Sequence, residues 1–341
     1  MSAVPTNEQS PPHIADNLIA AEDVPAADQN DADSVFSEDQ SSTASITSSI
    51  LEYRRIHGRT YHSDRFATNF HIPNDDQQLE SEELCHHCLR ILFDDQLFLA
   101  PLDKDKIHRV LDVGTGSGIW AIEFADEFPN ASVIGTDLSP CQPPWVPPNL
   151  LFEIDDATLE WTWNNNHFDF IHMRYLLGGI QDWTALLKEA YRCCAPGGWV
   201  ESVEYEVEFR SDDGTTALEP ILSSFGNLFR EAGRVLNRSF FVREIQQQAF
   251  DDAGFVEKRV VPYKIPIGTW PKDRKLAEIG RFSKAATEND LRGYTQMLWQ
   301  NVLQRPEDEY HVWLATLLKA IRNPEVHIYV LNHVVYGRKP A

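Results

Sequence analysis

Apolar residues along this chain fall into two periods that take turns. Val110-Leu111-Asp112-Val113 is a short strand-like run, and after a glycine-rich turn Ile119-Trp120-Ala121-Ile122-Glu123-Phe124-Ala125 spaces its apolar residues as a helix does. The rhythm returns with Ala131 to Asp137, then with Leu151 to Ala157, where Phe152, Ile154 and Asp156 share one face of a strand. Phe168 to Arg174 reads as a fourth strand and Trp183 to Tyr191 as a helix. The turn Pro196-Gly197-Gly198 then opens a fifth strand, Trp199 to Glu204. Repeated alternation of this kind predicts an α/β chain whose parallel sheet is covered on both faces. Upstream, Glu82 to Phe93 reads as a helix with Cys85, Cys88, Leu89 and Leu92 on one face. Downstream, Leu218, Ile221, Leu222, Phe225, Leu228 and Phe229 fit an amphipathic helix, and residues 272–322 a second helical region. Helices returning there can roof the crevice beyond the carboxyl ends of the strands.

The turn between the first strand and its helix carries the most specific chemistry. Gly114, Gly116 and Gly118 permit a tight backbone and close approach of a ligand to the free N–H groups of the helix. Ile119 stands where a dinucleotide fingerprint wants glycine, and Asp112 lies in the strand just before the turn. An acid at that place suits the ammonium of S-adenosylmethionine, whose carboxylate suits the helix N–H groups; a pyrophosphate gains nothing from it. Asp137, ending the second strand 19 residues after Gly118, is placed to accept both ribose hydroxyls, and Asp156 to accept the adenine amino group. His172, ending the fourth strand, is the candidate general base, since its ordinary pKa lies near neutrality. Among the aromatic residues near loops, Tyr61, Trp120, Tyr175, Trp199 and Tyr205 are candidates for the substrate pocket.

Composition divides the chain at its first basic residue, Arg54. Ten acidic residues precede it, so residues 1–53 hold −10 of the formal charge of −22. With seven Ser or Thr among residues 41–49 and little to bury, this arm is expected to be disordered. No apolar run reaches the length of a membrane span and no secretion signal is read, which predicts an intracellular protein of cytoplasm or nucleus. The acidic balance argues against direct nucleic-acid binding. Five cysteines without a secretion signal predict free thiols. Cys85-His86-His87-Cys88 invites a metal reading, but the second ligand pair of a closed zinc site is missing, so no metal is expected.

Beyond local chemistry, an ordered series of motifs resembles the class I methyltransferases, and within them the fungal LaeA-like group. The series runs from Gly58-Arg59-Thr60-Tyr61-His62 through the glycine loop, Gly135-Thr136-Asp137-Leu138-Ser139-Pro140 and Trp145-Val146-Pro147-Pro148-Asn149. It continues with Asp182-Trp183 and Pro196 to Glu201, and closes at Val335 to Pro340. The resemblance implies a Rossmann-like, seven-stranded, mostly parallel sheet with a reversed last hairpin, and S-adenosylmethionine as cofactor. It implies a domain over residues 54–341: a helical cover (54–106), a cofactor-binding core (107–210), and insertions with the last strands (211–341). The methyl acceptor stays open between a small molecule and a protein. A second reading is a regulatory subunit working through velvet-type protein partners. A third, an oxidoreductase using a nicotinamide cofactor, shares the early strands and Asp137 but conflicts with Ile119, Asp112 and the Pro196-Gly197-Gly198 turn.

Overall fold

A computed structural model describes residues 52–341 apart from 67 and 69. The acidic arm therefore lies almost wholly outside the described residues. The chain opens on a small hairpin, β1 (Arg54–Ile56) and β2 (Arg59–Tyr61), joined at His57 and Gly58, both at positive φ as a two-residue hairpin turn requires. Helix α1 (Asp76–Leu92) follows, its first turn capped by the Asp75 carboxylate, which accepts from the Gln78 N–H. The expected helical cover thus includes a hairpin. Three-residue strands are too short for alternation to be read in sequence.

The main sheet has seven strands: β3 (Arg109–Val113), β4 (Ser132–Asp137), β5 (Leu150–Ile154), β6 (Phe168–Arg174), β7 (Cys194–Tyr205), β8 (Val256–Pro266) and β9 (Tyr329–Arg338). Their spatial order is β5-β4-β3-β6-β7-β9-β8, with β9 antiparallel to both of its neighbours. The other neighbouring pairs run parallel. This is the class I arrangement, reversed final hairpin included. Central strands β3 and β6 are buried on both faces, which is why they read as continuous apolar runs. The edge strand β8 alternates in exposure and tolerates Pro262 and Pro266.

Strand parity divides the core. Leu111, Ile171 and Met173 face the side covered by α3 (Trp183–Cys193), α4 (Leu222–Leu236), α5 (Arg243–Ala253) and α7 (Glu307–Arg322). Val110, Val133 and Phe170 face α2 (Ile119–Glu127), packing on Trp120 and Phe124. The amphipathic helix expected on Leu218 to Phe229 is α4, which starts only at Leu222; Leu218 stands exposed in a short turn before it, and α5 follows as a separate helix. Helix α6 (Arg274–Met297) is bent at Asp290, whose φ of −137° and ψ of 36° leave the helical region. A π-helical turn, Leu298–Val302, connects it towards α7. Because the chain leaves β3 for β4 and β5 on one side and returns to β6 on the other, a crevice opens at the carboxyl ends of β3 and β6, where ligands of such sheets bind.

Candidate active site

A cavity fills this crevice, lined by the ends of β3 to β7 and roofed from α1, α4 and α6. Its floor is the glycine turn. Gly114, Thr115, Gly116 and Ser117 line it, and Gly116 has φ of +57°, so a side chain there would be strained and its Cβ would meet the Glu82 carboxylate. Gly118 serves differently from the expectation. It begins α2 at φ of +81° and packs under Phe152 and Gln142 instead of lining the cavity.

Asp137, at the end of β4, lines the cavity and ties the turn down. One carboxylate oxygen accepts the Gly116 N–H at 2.9 Å and the other the Ser139 N–H at 3.1 Å. Burial raises its pKa above the usual carboxylate range despite those bonds. Asp156 also lines the cavity, though for another reason than strand parity, since β5 ends at Ile154. A loop carries it inward. Its carboxylate accepts from the Thr68 hydroxyl at 2.8 Å, the Thr158 hydroxyl at 2.7 Å and the Thr158 N–H at 3.0 Å.

Asp112 does not reach the cavity. It stands opposite His172 in the β3–β6 register, on the face that α2 covers, so the two side chains pair with each other. His172 Nδ1 lies 2.7 Å from one Asp112 oxygen, and the other oxygen accepts the Thr115 hydroxyl at 2.6 Å. The imidazole stacks on Trp120 with ring centroids 3.8 Å apart and planes at 5°. Burial pulls the His172 pKa down, with Asp112 opposing. The geometry removes both His172 and Trp120 from the cavity and makes them core residues between sheet and helix.

In place of Asp112, Glu82 on α1 brings an acid to the turn. Its carboxylate accepts the Ser117 N–H at 3.1 Å and the Gln78 amide at 3.3 Å. Burial, aided by the neighbouring Asp137 charge, pushes its pKa up to about 7. Sequence reasoning missed it because nothing local links a helix residue to a glycine turn 35 positions away.

Beyond the turn the lining changes character. Tyr175 follows β6 at φ of +58°, a backbone conformation costly for a tyrosine. It is held there because the next two N–H groups, of Leu176 and Leu177, donate to the buried Glu204 carboxylate at 2.9 and 3.1 Å. Its ring meets Tyr205 edge-on at 4.9 Å, and Tyr294 of α6 and Cys85 of α1 line the cavity with them. Tyr61 and Trp199 do not. Tyr61 is fully buried away from the cavity with its hydroxyl unpartnered, and Trp199 packs on Tyr336. Among the described residues, no three His, Cys, Asp or Glu side chains converge as a metal site, and no helix is long and apolar enough to cross a membrane.

Comparison with known proteins agrees with this geometry. Residues 82–256 match the family model described as a methyltransferase domain. The chain is 32% identical to the methyltransferase pytC of Aspergillus terreus, over 91% of this chain and 95% of that one. It is 30% identical to the secondary metabolism regulator LAE1 of Cochliobolus heterostrophus, over 83% and 94%. It is also 29% identical to the protein-methionine methyltransferase laeA of Emericella nidulans, over 85% and 77%. A loose structural likeness, TM-score 0.44 and 19% identity over 75% of this chain and 52% of that one, links it to the phosphoethanolamine N-methyltransferase 2 of Haemonchus contortus. The chain belongs to the methyltransferase domain family, as a class I S-adenosylmethionine-dependent methyltransferase related to pytC and the LaeA-type regulators of fungal secondary metabolism.

Proposed function

We propose that the cavity holds S-adenosylmethionine along the ends of β3, β4 and β5 and admits a methyl acceptor beneath α4 and α6. The observation that carries this reading is the buried Asp137 carboxylate, which faces the cavity while it anchors the glycine turn. Each of its oxygens keeps a lone pair for a ribose hydroxyl. The residues fit the rest of the cofactor too. Gly116 keeps open a space that a Cβ would fill, Glu82 supplies a counter-ion for the ammonium, and Asp156, oriented by Thr68 and Thr158, can accept from the adenine amino group. When bound, the cofactor supplies an electrophilic methyl group on a sulfonium. The protein's task is to bind, orient the acceptor and exclude water. Glu204, by fixing the Tyr175 loop, shapes the wall against which the acceptor is aligned.

Calorimetric titration tests the reading. Wild type is expected to bind S-adenosylmethionine and not NADH, and Asp137→Ala to weaken that binding by about 10- to 100-fold as a charged hydrogen-bonding group is lost. Binding of NADH alone would overturn it. Relatives named as secondary metabolism regulators support placing the activity in fungal secondary metabolism, as a pathway enzyme or as its regulator. The family resemblance suggests velvet-type proteins as partners and the cytoplasm or nucleus as the site of action. Recovery of such partners with the native protein, and imaging of a tagged chain, test those two points.

A further inference from the structure

The cavity is chemically two-sided, polar at the cofactor end and apolar beneath α4 and α6. Among the described lining residues, the ionisable acids and the single guanidinium, Glu82, Asp137, Asp155, Asp156 and Arg174, lie at the glycine turn or at the strand ends beside it. The far side is walled by Phe209, Phe225, Phe229, Ile267, Leu291 and Val330. Phe209 and Phe225 stack at 4.5 Å, and Phe225 meets Phe229 at 5.0 Å, so this wall is a packed aromatic surface. Phe229 meets His71, whose pKa burial, with the Arg238 charge adding, holds down at about 3, so the imidazole brings no charge to the wall. Two hydroxyls on that side are already committed. Ser283 donates to the Pro266 carbonyl and Thr287 to the Ser283 carbonyl. Tyr175, Tyr205 and Tyr294 with Cys85 also line the cavity and form a polar waist, the Tyr175 hydroxyl accepting from the Asn332 amide at 3.3 Å.

A peptide threaded into the far side would bring an N–H and a C=O with every residue, and each would lose water without finding a partner. An ionised molecule would be worse placed. Resting on the cofactor assignment above, we propose that the acceptor is an uncharged, largely apolar or aromatic small molecule. Its hydrocarbon body lies against the wall of α4, α6 and the chain at the ends of β7, β8 and β9, and its one polar, methyl-accepting atom sits at the tyrosine waist.

The test uses the full chain, S-adenosylhomocysteine as cofactor probe and N-phenyl-1-naphthylamine, an uncharged fluorescent aromatic, as acceptor probe. The naphthylamine is expected to bind saturably to the S-adenosylhomocysteine complex. Two substitutions at one half-buried lining position, Thr287→Trp by crowding and Thr287→Glu by charge, should each weaken it roughly tenfold or more. Both should keep the wild-type melting temperature and affinity for S-adenosylhomocysteine. The proposal is overturned if S-adenosylhomocysteine binds but the naphthylamine does not, if the two compete, or if both substitutions leave the naphthylamine affinity unchanged. It is likewise overturned if an unstructured methionine-containing peptide displaces the naphthylamine and accepts methyl in its place. Failure of S-adenosylhomocysteine itself to bind wild type would instead remove the cofactor assignment on which the proposal rests.

Discussion

Glu82 is the side chain whose ionisation the cofactor end depends on most directly. Buried against the turn with its pKa near 7, it is half protonated at neutral pH, and a cationic ammonium beside it favours the ionised form. Affinity for S-adenosylmethionine should therefore rise as pH goes from 6 to 7.5, by at most about tenfold per unit, and Glu82→Gln should flatten the rise. Calorimetry at three pH values decides this; an unchanged slope in the variant would free Glu82 of the role. Glu201 titrates for a purely structural reason. One of its oxygens accepts the Leu99 and Ala100 N–H groups at 2.8 and 2.7 Å, and the other is buried without a partner, so burial lifts its pKa to about 7. A carboxyl raised in the folded state contributes stability at acid pH that is lost as pH climbs through the folded value. His71 and His333, with pKa values pulled down to about 3 and 4, work the other way and lose stability below the ordinary histidine pKa. The net curve mixes the two sets, but a difference isolates one. The stability of Glu201→Gln relative to wild type should rise by about 2 to 3 kcal/mol between pH 5 and pH 8, read from denaturant midpoints. The place of Gly116 and Asp137 at the cavity was legible because short runs set their positions, whereas Asp156, singled out by strand parity, reaches it on a loop beyond β5. The place of Glu82 was not legible, and Asp112 and His172 stand off the cavity for a related reason: strand register, invisible along one chain, pairs them with each other.

At the scale of elements, one buried arginine joins three pieces. From β2, Arg59 forks onto Asp75, the cap of α1, and onto Asp290, the bend of α6, with Nη1 and Nη2 at 2.6 and 2.8 Å from the two Asp290 oxygens. Asp290 in turn accepts the Gly293 N–H at 3.0 Å, so its side chain caps the last part of α6 as if a new helix began there. Leu291 and Tyr294, which face the cavity, follow directly. The clamp thus links the opening hairpin to the acceptor wall. Replacing Arg59 by Leu strands two carboxylates and is expected to cost about 3 to 5 kcal/mol in a denaturant titration. Arg59→Lys should recover little of that, since an ammonium cannot fork onto both partners. A loss below about 1 kcal/mol would mean that the clamp matters as little as a surface pair. Long strands and helices of the core were readable from period alone. The hairpin, the bend at Asp290 and the split between α4 and α5 were not, because each is set by contacts across the fold.

For the whole molecule, alternation of period predicted a parallel sheet covered on both faces, while the strand count and the reversed final hairpin came only with the family resemblance. Local pattern cannot rank strands laterally. Order in a sheet is decided by which faces find helices to bury them, and here β9 inserts between β7 and β8 after two helical insertions. Those insertions roof the cavity that fits a small acceptor, and they also offer surface that a regulatory partner could use. The two roles separate by disabling the cofactor end alone. In a strain lacking this gene, the Asp137→Ala protein, verified as folded by its melting temperature and as deficient in S-adenosylmethionine binding, should fail to restore the wild-type metabolite profile. Methyl transfer is then the working activity, and Thr287→Trp, which keeps the cofactor and blocks the acceptor side, should fail in the same assay. Full restoration by Asp137→Ala without detectable cofactor binding would place the biological effect in the protein's surface instead, and its partners would be the next object of study.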